Sequence, residues 1–199
     1  MRIAAMAVGR DRCVDMVKVT EGGFNKIFLL TMDDGCEVIA RIPTPIAGPP
    51  HYTTASEVAT MDFLRTQLDI PVPKVFAWAS RVSGDNPVGA EYIIMEKAQG
   101  ESLGSRWLSL STKDLAEVIK QIVEVENRLF SARFAKYGSL YYKEDLEEIF
   151  RDDESQDQND VDLLSDRFCI GPIVTRSFWT EERGQLPLDR GPCLFPLMH

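Results

Sequence analysis

Val17-Lys-Val-Thr-Glu-Gly-Gly-Phe-Asn-Lys-Ile-Phe-Leu-Leu-Thr-Met-Asp-Asp-Gly-Cys-Glu-Val-Ile-Ala-Arg-Ile42 reads as three strands in succession. Residues 26–32 alternate Ile27, Leu29, Thr31 against Phe28, Leu30, Met32, a strand with apolar groups on both faces. Asp33-Asp34-Gly35 is a hairpin signal, and Val38, Ala40 and Ile42 set one face of the returning strand. Gly22-Gly23 supplies the bend before residue 26, and Pro43 and Pro45 end the third strand. The stretch therefore predicts an antiparallel meander.

Working outward, Gly48-Pro49-Pro50-His51 is a loop, and Thr54-Ala-Ser-Glu57 has the spacing of a capping box that opens a helix over 55–68. Pro71 and Pro73 stop any helix and launch a short strand over 74–78; residues 80–87 form a polar loop, and 91–96 form another strand, broken at Gly100. The series β-β-β-α-β-β is a small antiparallel sheet with one helix. Leu115, Val118, Ile119, Ile122, Val125 and Leu129 then fall at helical spacing over 112–130, which predicts a second, helical unit with 97–104 as the hinge. From Glu147 to Asp162, eight of sixteen residues are acidic. An EF-hand starting at Asp153 would need glycine at position six and glutamate at position twelve, where Gln158 and Leu164 stand, so the run reads as a solvated loop. A weak strand or turn signal spans 168–179, and there is no internal repeat.

Composition narrows the function. The 199 residues carry a formal charge of −9, which argues against nucleic acid or an anionic membrane as main partner. Four cysteines without a C-x-x-C and two histidines do not meet zinc-site arithmetic and point to a reducing compartment. No apolar run approaches the roughly 18 residues of a membrane span. Residues 1–13 hold three arginines and one aspartate among alanines and are read as a lead-in helix or turn rather than a transit peptide.

Two charges are misplaced unless they meet. Arg41 lies on the opposite strand face from Ala40 and Ile42, beside Ile39; Glu57 shares the helix stripe of Met61, Leu64 and Leu68. An Arg41–Glu57 pair would resolve both and leave the guanidinium in reach of a phosphate. Alternatively Glu57 completes the capping box from Thr54 while Arg41 snorkels to solvent, and the sequence leaves both readings open. Gly22-Gly23 takes meaning from its strand–bend–strand context, whose backbone N–H groups can face phosphate oxygens. His51 reads as a surface residue, Trp78, Trp107 and Trp179 as packing residues, and Cys36 as unactivated.

The chain resembles the phosphotransferase family of aminoglycoside and choline kinases, which has the protein-kinase-like fold, and within it the fungal branch named for altered inheritance of mitochondria. The stretches that carry the resemblance are Glu21-Gly-Gly-Phe-Asn25, Val38-Ile-Ala-Arg-Ile-Pro43, Ala47-Gly-Pro-Pro50, Thr54-Ala-Ser-Glu-Val-Ala-Thr-Met61, Ile70-Pro-Val-Pro-Lys-Val75, Val88-Gly-Ala-Glu-Tyr-Ile-Ile-Met-Glu96, Tyr137-Gly-Ser-Leu-Tyr-Tyr142, Phe168-Cys-Ile-Gly-Pro172 and Asp189-Arg-Gly-Pro192. It implies an α+β fold: a kinase-like small lobe over 14–98, then a partial, incomplete helical lobe over 99–192 that contains the acidic loop. It implies a cofactor site for ATP in which Gly22, Gly23 and Asn25 lie over the phosphates. Arg41 would replace the phosphate-binding lysine, Glu57 would be its helix partner, and Glu96 to Ala98 would border the adenine. Arginine in place of lysine implies weak or vestigial ATP positioning.

No H-x-D and no metal-binding aspartate motif follows, so no catalytic residue and no metal ligand are assigned, and magnesium is expected only in the full-length family. Where the family continues with tryptophan after Arg-Gly-Pro, residues 193–199 differ, which reads as a truncated or altered frame with a loose tail. The expected activity is that of a fragment holding the nucleotide half of a kinase for small-molecule hydroxyls and inactive alone. The alternative is a non-catalytic scaffold in mitochondrial maintenance. Expected partners are a nucleotide, an unidentified small-molecule acceptor and a protein at the helix 112–130. Location is mitochondrial by resemblance, or cytoplasmic if the transit peptide is truly missing.

Overall fold

The computed structural model describes residues 1–84, 86–134, 136–146, 164 and 167–194. The acidic run 147–162 and residues 195–199 lie outside them. After a short helix α1 (Arg2–Ala7) come the three strands of the meander, β1 (Cys13–Glu21), β2 (Asn25–Met32) and β3 (Glu37–Pro43). Helix α2 (Tyr52–Thr66), β4 (Val75–Ala79) and β5 (Tyr92–Glu96) complete an antiparallel sheet of order β1-β2-β3-β5-β4. The fold is α+β, as the sequence predicts.

The turn between β2 and β3 follows from its residues. Gly35 takes φ 84, the region glycine enters at no steric cost, and the Asp34 carboxylate accepts the Cys36 N–H at 3.0 Å. The salt bridge from Arg10 Nε to Asp34 at 2.6 Å ties the turn to the segment before β1. One sheet face buries Leu30, Met32, Val38, Tyr92 and Ile94 beneath Ala4 and Ala5 of α1. Residues 2–7 thus cover the sheet, and their small side chains allow close approach.

Beyond β5 lie α3 (Leu103–Arg106) and α4 (Thr112–Ser131), which Ser111 caps by accepting the Asp114 N–H at 3.2 Å. No residue of α4 is buried; Ile119, Ile122 and Leu129 are 48%, 46% and 45% exposed, so its apolar stripe is open. Then β6 (Lys136–Tyr137) pairs with β9 (Cys193–Leu194), and β7 (Ser139–Tyr142) pairs with β8 (Phe168–Gly171). A loose tail is therefore not found at its first two residues, which form a ladder. The sequence offered no strand at 136–142, where Gly138 interrupts a pattern too short to show alternation.

Strands β7 and β8 return to α2. Ala59 and Phe63 of α2 pack with Leu140, Phe168 and Ile170, and Ala55 packs with Tyr141, Leu146 and Cys169. The Phe168 ring meets Phe63 edge-on at 5.5 Å and stacks on Tyr142 at 5.4 Å. The lobe border near residue 98 is a border in sequence; in space α2 is shared by both sides of it.

The capping-box start is corrected. Helix α2 begins at Tyr52 with His51, φ 68, as N-cap and no side-chain cap. Thr54 lies inside the first turn, buried at 1% exposure, with its hydroxyl donating to Glu91 at 2.6 Å.

Phe168→Ala removes the ring at the junction of α2, β7 and β8. It should cost about 3–5 kcal/mol in urea unfolding, while Leu108→Ala, at a residue 98% exposed, should stay within about 0.5 kcal/mol of the parent.

Candidate functional site

The β2–β3–β5 register sets one face of the sheet. Ile39 lies opposite Leu29 and Met95, and Arg41 lies opposite Ile27 and Ile93. Residues directly opposite share a face, so Arg41 stands at one end of an apolar surface of Ile27, Leu29, Ile39, Met95 and Ile93. The first four of these apolar residues are half-buried and Ile93 is buried. A cation there needs a counter-charge, and the Arg41 Nη2–H donates to Glu57 Oε1 of α2 in an ion pair whose side chains are 22% and 33% exposed. The structure thus brings Arg41 and Glu57 together and rules out the capping alternative for Glu57. Nε and Nη1 of Arg41 make no hydrogen bond among the described residues, leaving donors for an incoming anion.

The glycine loop sits at the same end of the sheet, since Asn25 lies opposite Pro43 and Ile27 opposite Arg41. Thr44 ties it down: its Oγ1 donates to the Gly23 carbonyl at 2.9 Å and its N–H to the Phe24 carbonyl at 2.8 Å. A Cβ on Gly22 or Gly23 would meet nothing within 4 Å, so the loop borders open space. The Gly22 N–H is spent on the Asn25 carbonyl at 3.0 Å; that of Gly23 makes no hydrogen bond among the described residues. Asn25 Oδ1 is buried without a partner, an acceptor suited to a hydroxyl or ammonium rather than to phosphate oxygen.

Glu96 and Ala98 mark the opposite end. Glu96 lies opposite Val38, three residues or about 10 Å along the strand from Arg41. Its carboxylate accepts the Lys74 N–H at 3.1 Å and faces Arg65 at 3.6 Å, while Ala98 is exposed. The sequence-predicted residues therefore do not share one sheet face: Asn25 and Arg41 stand at one end of the face that meets Glu57, while Glu96 lies at the far end in register with Val38, on the opposite face.

A network that sequence reading missed holds the start of α2. His51, expected at the surface, is half-buried: its ring nitrogens lie 2.7 Å from Ser80 Oγ and 3.0 Å from the Asp145 carbonyl, and Arg81 Nη2 is 2.9 Å from Nε2. Its N–H donates to Glu91 Oε1 at 2.9 Å. Asp145 Oδ2 is buried without a partner, and burial first, then the Glu144 charge, pushes the carboxyl up to about 6 against the opposing pull of Arg81. At the other end of α2, Asp62 accepts from Tyr142 Oη at 2.7 Å and Arg167 Nη2 at 2.5 Å. Trp78 and Trp179 pack, as expected, against Tyr142 and Tyr52. Among the described residues, no three His, Cys, Asp or Glu side chains cluster as a metal site.

The profile of the Phosphotransferase enzyme family matches residues 16–194. A subtelomeric hrmA-associated cluster protein of Aspergillus fumigatus is 54% identical over 184 residues, covering 92% of this chain and 34% of that protein. The protein called altered inheritance of mitochondria protein 9, mitochondrial, is 35% identical in Candida tropicalis, over 86% of this chain and 28% of the relative. In Candida albicans strain SC5314 its namesake is 33% identical, over 82% and 27%. The chain spans about a third of the length of these curated relatives. Among solved structures, a GDP and kanamycin complex of APH(2″)-IIIa is similar with TM-score 0.48 and 17% identity, over 64% of this chain and 40% of that one. The aminoglycoside phosphotransferase APH(4)-Ia is similar with TM-score 0.43 and 16% identity, over 70% and 43%.

Two outcomes follow from the geometry. In a double-mutant cycle of Arg41→Met and Glu57→Gln, thermal or urea unfolding should give a coupling of about 1–2 kcal/mol, because both charges are partly desolvated. Asp145 has a folded-state value raised from an ordinary 3.8 to about 6, so its charged form costs stability above about pH 6 and the cost vanishes as pH falls to 3.8. Asp145→Asn should therefore stabilise by about 1 kcal/mol at pH 7, after discounting for solvent screening, and by nothing near pH 4.

Proposed function

Because this chain belongs to the phosphotransferase enzyme family, we propose that it carries the ATP-binding half of a kinase acting on small-molecule hydroxyl groups. The observation that supports this best is the Arg41–Glu57 pair, set at the end of a half-open apolar sheet face and beside a glycine loop that borders open space. The apolar face suits a flat base, and Nε and Nη1 of Arg41 suit phosphate oxygens in the planar way a guanidinium allows. Glu57 keeps the guanidinium charged and aimed. The residues present therefore fit a nucleotide: Ile27, Leu29, Ile39 and Met95 against the base, Arg41 and the Gly23 N–H toward the phosphates, with the Glu96–Ala98 segment at the far end. Bound ATP supplies the transferable phosphoryl group. With arginine at the place of the family's phosphate-binding lysine and no H-x-D in the 199 residues, the chain on this reading binds nucleotide weakly and does not transfer phosphate by itself. We place its work in the mitochondrion, following the relatives whose names carry that location.

A second reading, a non-catalytic scaffold, is favoured by the open apolar stripe of α4, which offers a protein partner more surface than any small molecule needs.

Titration with trinitrophenyl-ATP separates the two. Saturable binding, displaced by ATP and weakened at least tenfold (about 1.4 kcal/mol) by Arg41→Ala, is the expected result. Absence of binding, or equal affinity in the variant, would sink the nucleotide reading. With radiolabelled ATP, magnesium and a pool of hydroxyl acceptors, transfer should run no faster than in buffer.

A further inference from the structure

The carboxylate of Glu91 closes the start of α2 from a distance of 37 residues. The helix has no side-chain cap of its own, and its N-cap His51 stands at φ 68. Glu91 Oε1 accepts the His51 N–H at 2.9 Å and Oε2 accepts the Thr54 hydroxyl at 2.6 Å, so both oxygens are engaged by consecutive parts of the first turn. A negative charge at this position also meets the positive end of the helix dipole. His51 is further held by Ser80 and by the Asp145 carbonyl, which fixes the backbone that Glu91 grips.

We infer that Glu91 is a positioning residue for the Arg41–Glu57 pair, acting through Thr54 and the rotational setting of α2. Thr54 and Glu57 are separated by three residues, about 4.5 Å along the axis and on neighbouring positions of one helix face. A helix gripped at Thr54 cannot turn about its axis without drawing Glu57 from Arg41. Thr54 is 1% exposed, so its hydroxyl has no water to replace the carboxylate. The inference deepens the nucleotide reading and rests on it only for its consequence, since the pair itself is observed in the protein alone.

The test reads the guanidinium directly. In the ¹⁵N-labelled chain, Arg41 held by Glu57 should show slowly exchanging Nη–H signals, assigned by their loss in Arg41→Lys and abolished in Glu57→Gln. Glu91→Gln should speed that exchange at least tenfold while circular dichroism retains the helix content, and Glu117→Gln on α4 should leave it unchanged. Thr54→Val, which removes only the hydroxyl, should give an intermediate increase and serves if Glu91→Gln does not fold. A lowered melting temperature in Glu91→Gln or Thr54→Val with the Arg41 signal as in the parent would make Glu91 a cap and nothing more. If trinitrophenyl-ATP fails to bind the parent while Glu91→Gln still loses the signal, the nucleotide reading falls and the positioning role stands. If the parent does bind it, Glu57→Gln and Glu91→Gln should each lose about tenfold in affinity.

Discussion

A guanidinium among isoleucines cannot stay on a sheet face without an anion, and α2 is the element that brings one. That requirement couples the meander to the helix. The ion pair between Arg41 and Glu57 is a weak source of stability in itself, because both groups give up water to form it. Its structural effect is specificity: one helix orientation satisfies both charges, and other orientations strand them. Everything else around α2 supports that orientation.

Three sets of contacts do so, and they come from remote parts of the chain. Glu91 grips the first turn, Asp62 takes Tyr142 and Arg167 near the last, and Ala55, Ala59 and Phe63 bury one stripe against β7 and β8. Alanine at 55 and 59 lets the strands approach closely, while Phe63 fills the space that remains with an edge-on contact to Phe168. The helix is therefore a hub between two segments that the chain order separates. This explains why the family resemblance extends past the first lobe: residues 139–146 and 167–172 complete the surroundings of a helix that carries a site residue.

The two long helices show opposite solutions to amphipathicity. In α2 the apolar stripe is covered, and its charged residues are met by partners from the sheet and from β8's flank. In α4 the stripe is periodic and open, tied to the rest by Arg128, which donates to the Asp69 carbonyl and faces its carboxylate at 3.6 Å. The pattern that predicted α4 says that it is a helix; it carries no information about what covers the stripe.

The meander, its aspartate–glycine turn, a helix expected over 55–68 and found at Tyr52–Thr66, and a helix expected over 112–130 and found at Thr112–Ser131 were legible in the sequence, because each rests on relations between residues a few positions apart. The Arg41–Glu57 pair was legible too, for a different reason: each charge was visibly misplaced on its own element, and pairing them removed both anomalies. The start of α2 was misread because Thr54 and Glu57 have the spacing of a local cap, and only the fold reveals better partners for both in Glu91 and Arg41. His51 was taken for a surface residue because a proline-rich loop gives no sign of Ser80, Arg81 and Asp145 folding over it. Strands β7 and β8 are short, and their stability comes from packing on α2 rather than from alternation. Sequence alone determined what depends on local spacing and on charges out of place; tertiary structure decided which distant groups meet them, because a buried polar atom takes its partner from whatever the folded chain brings within reach.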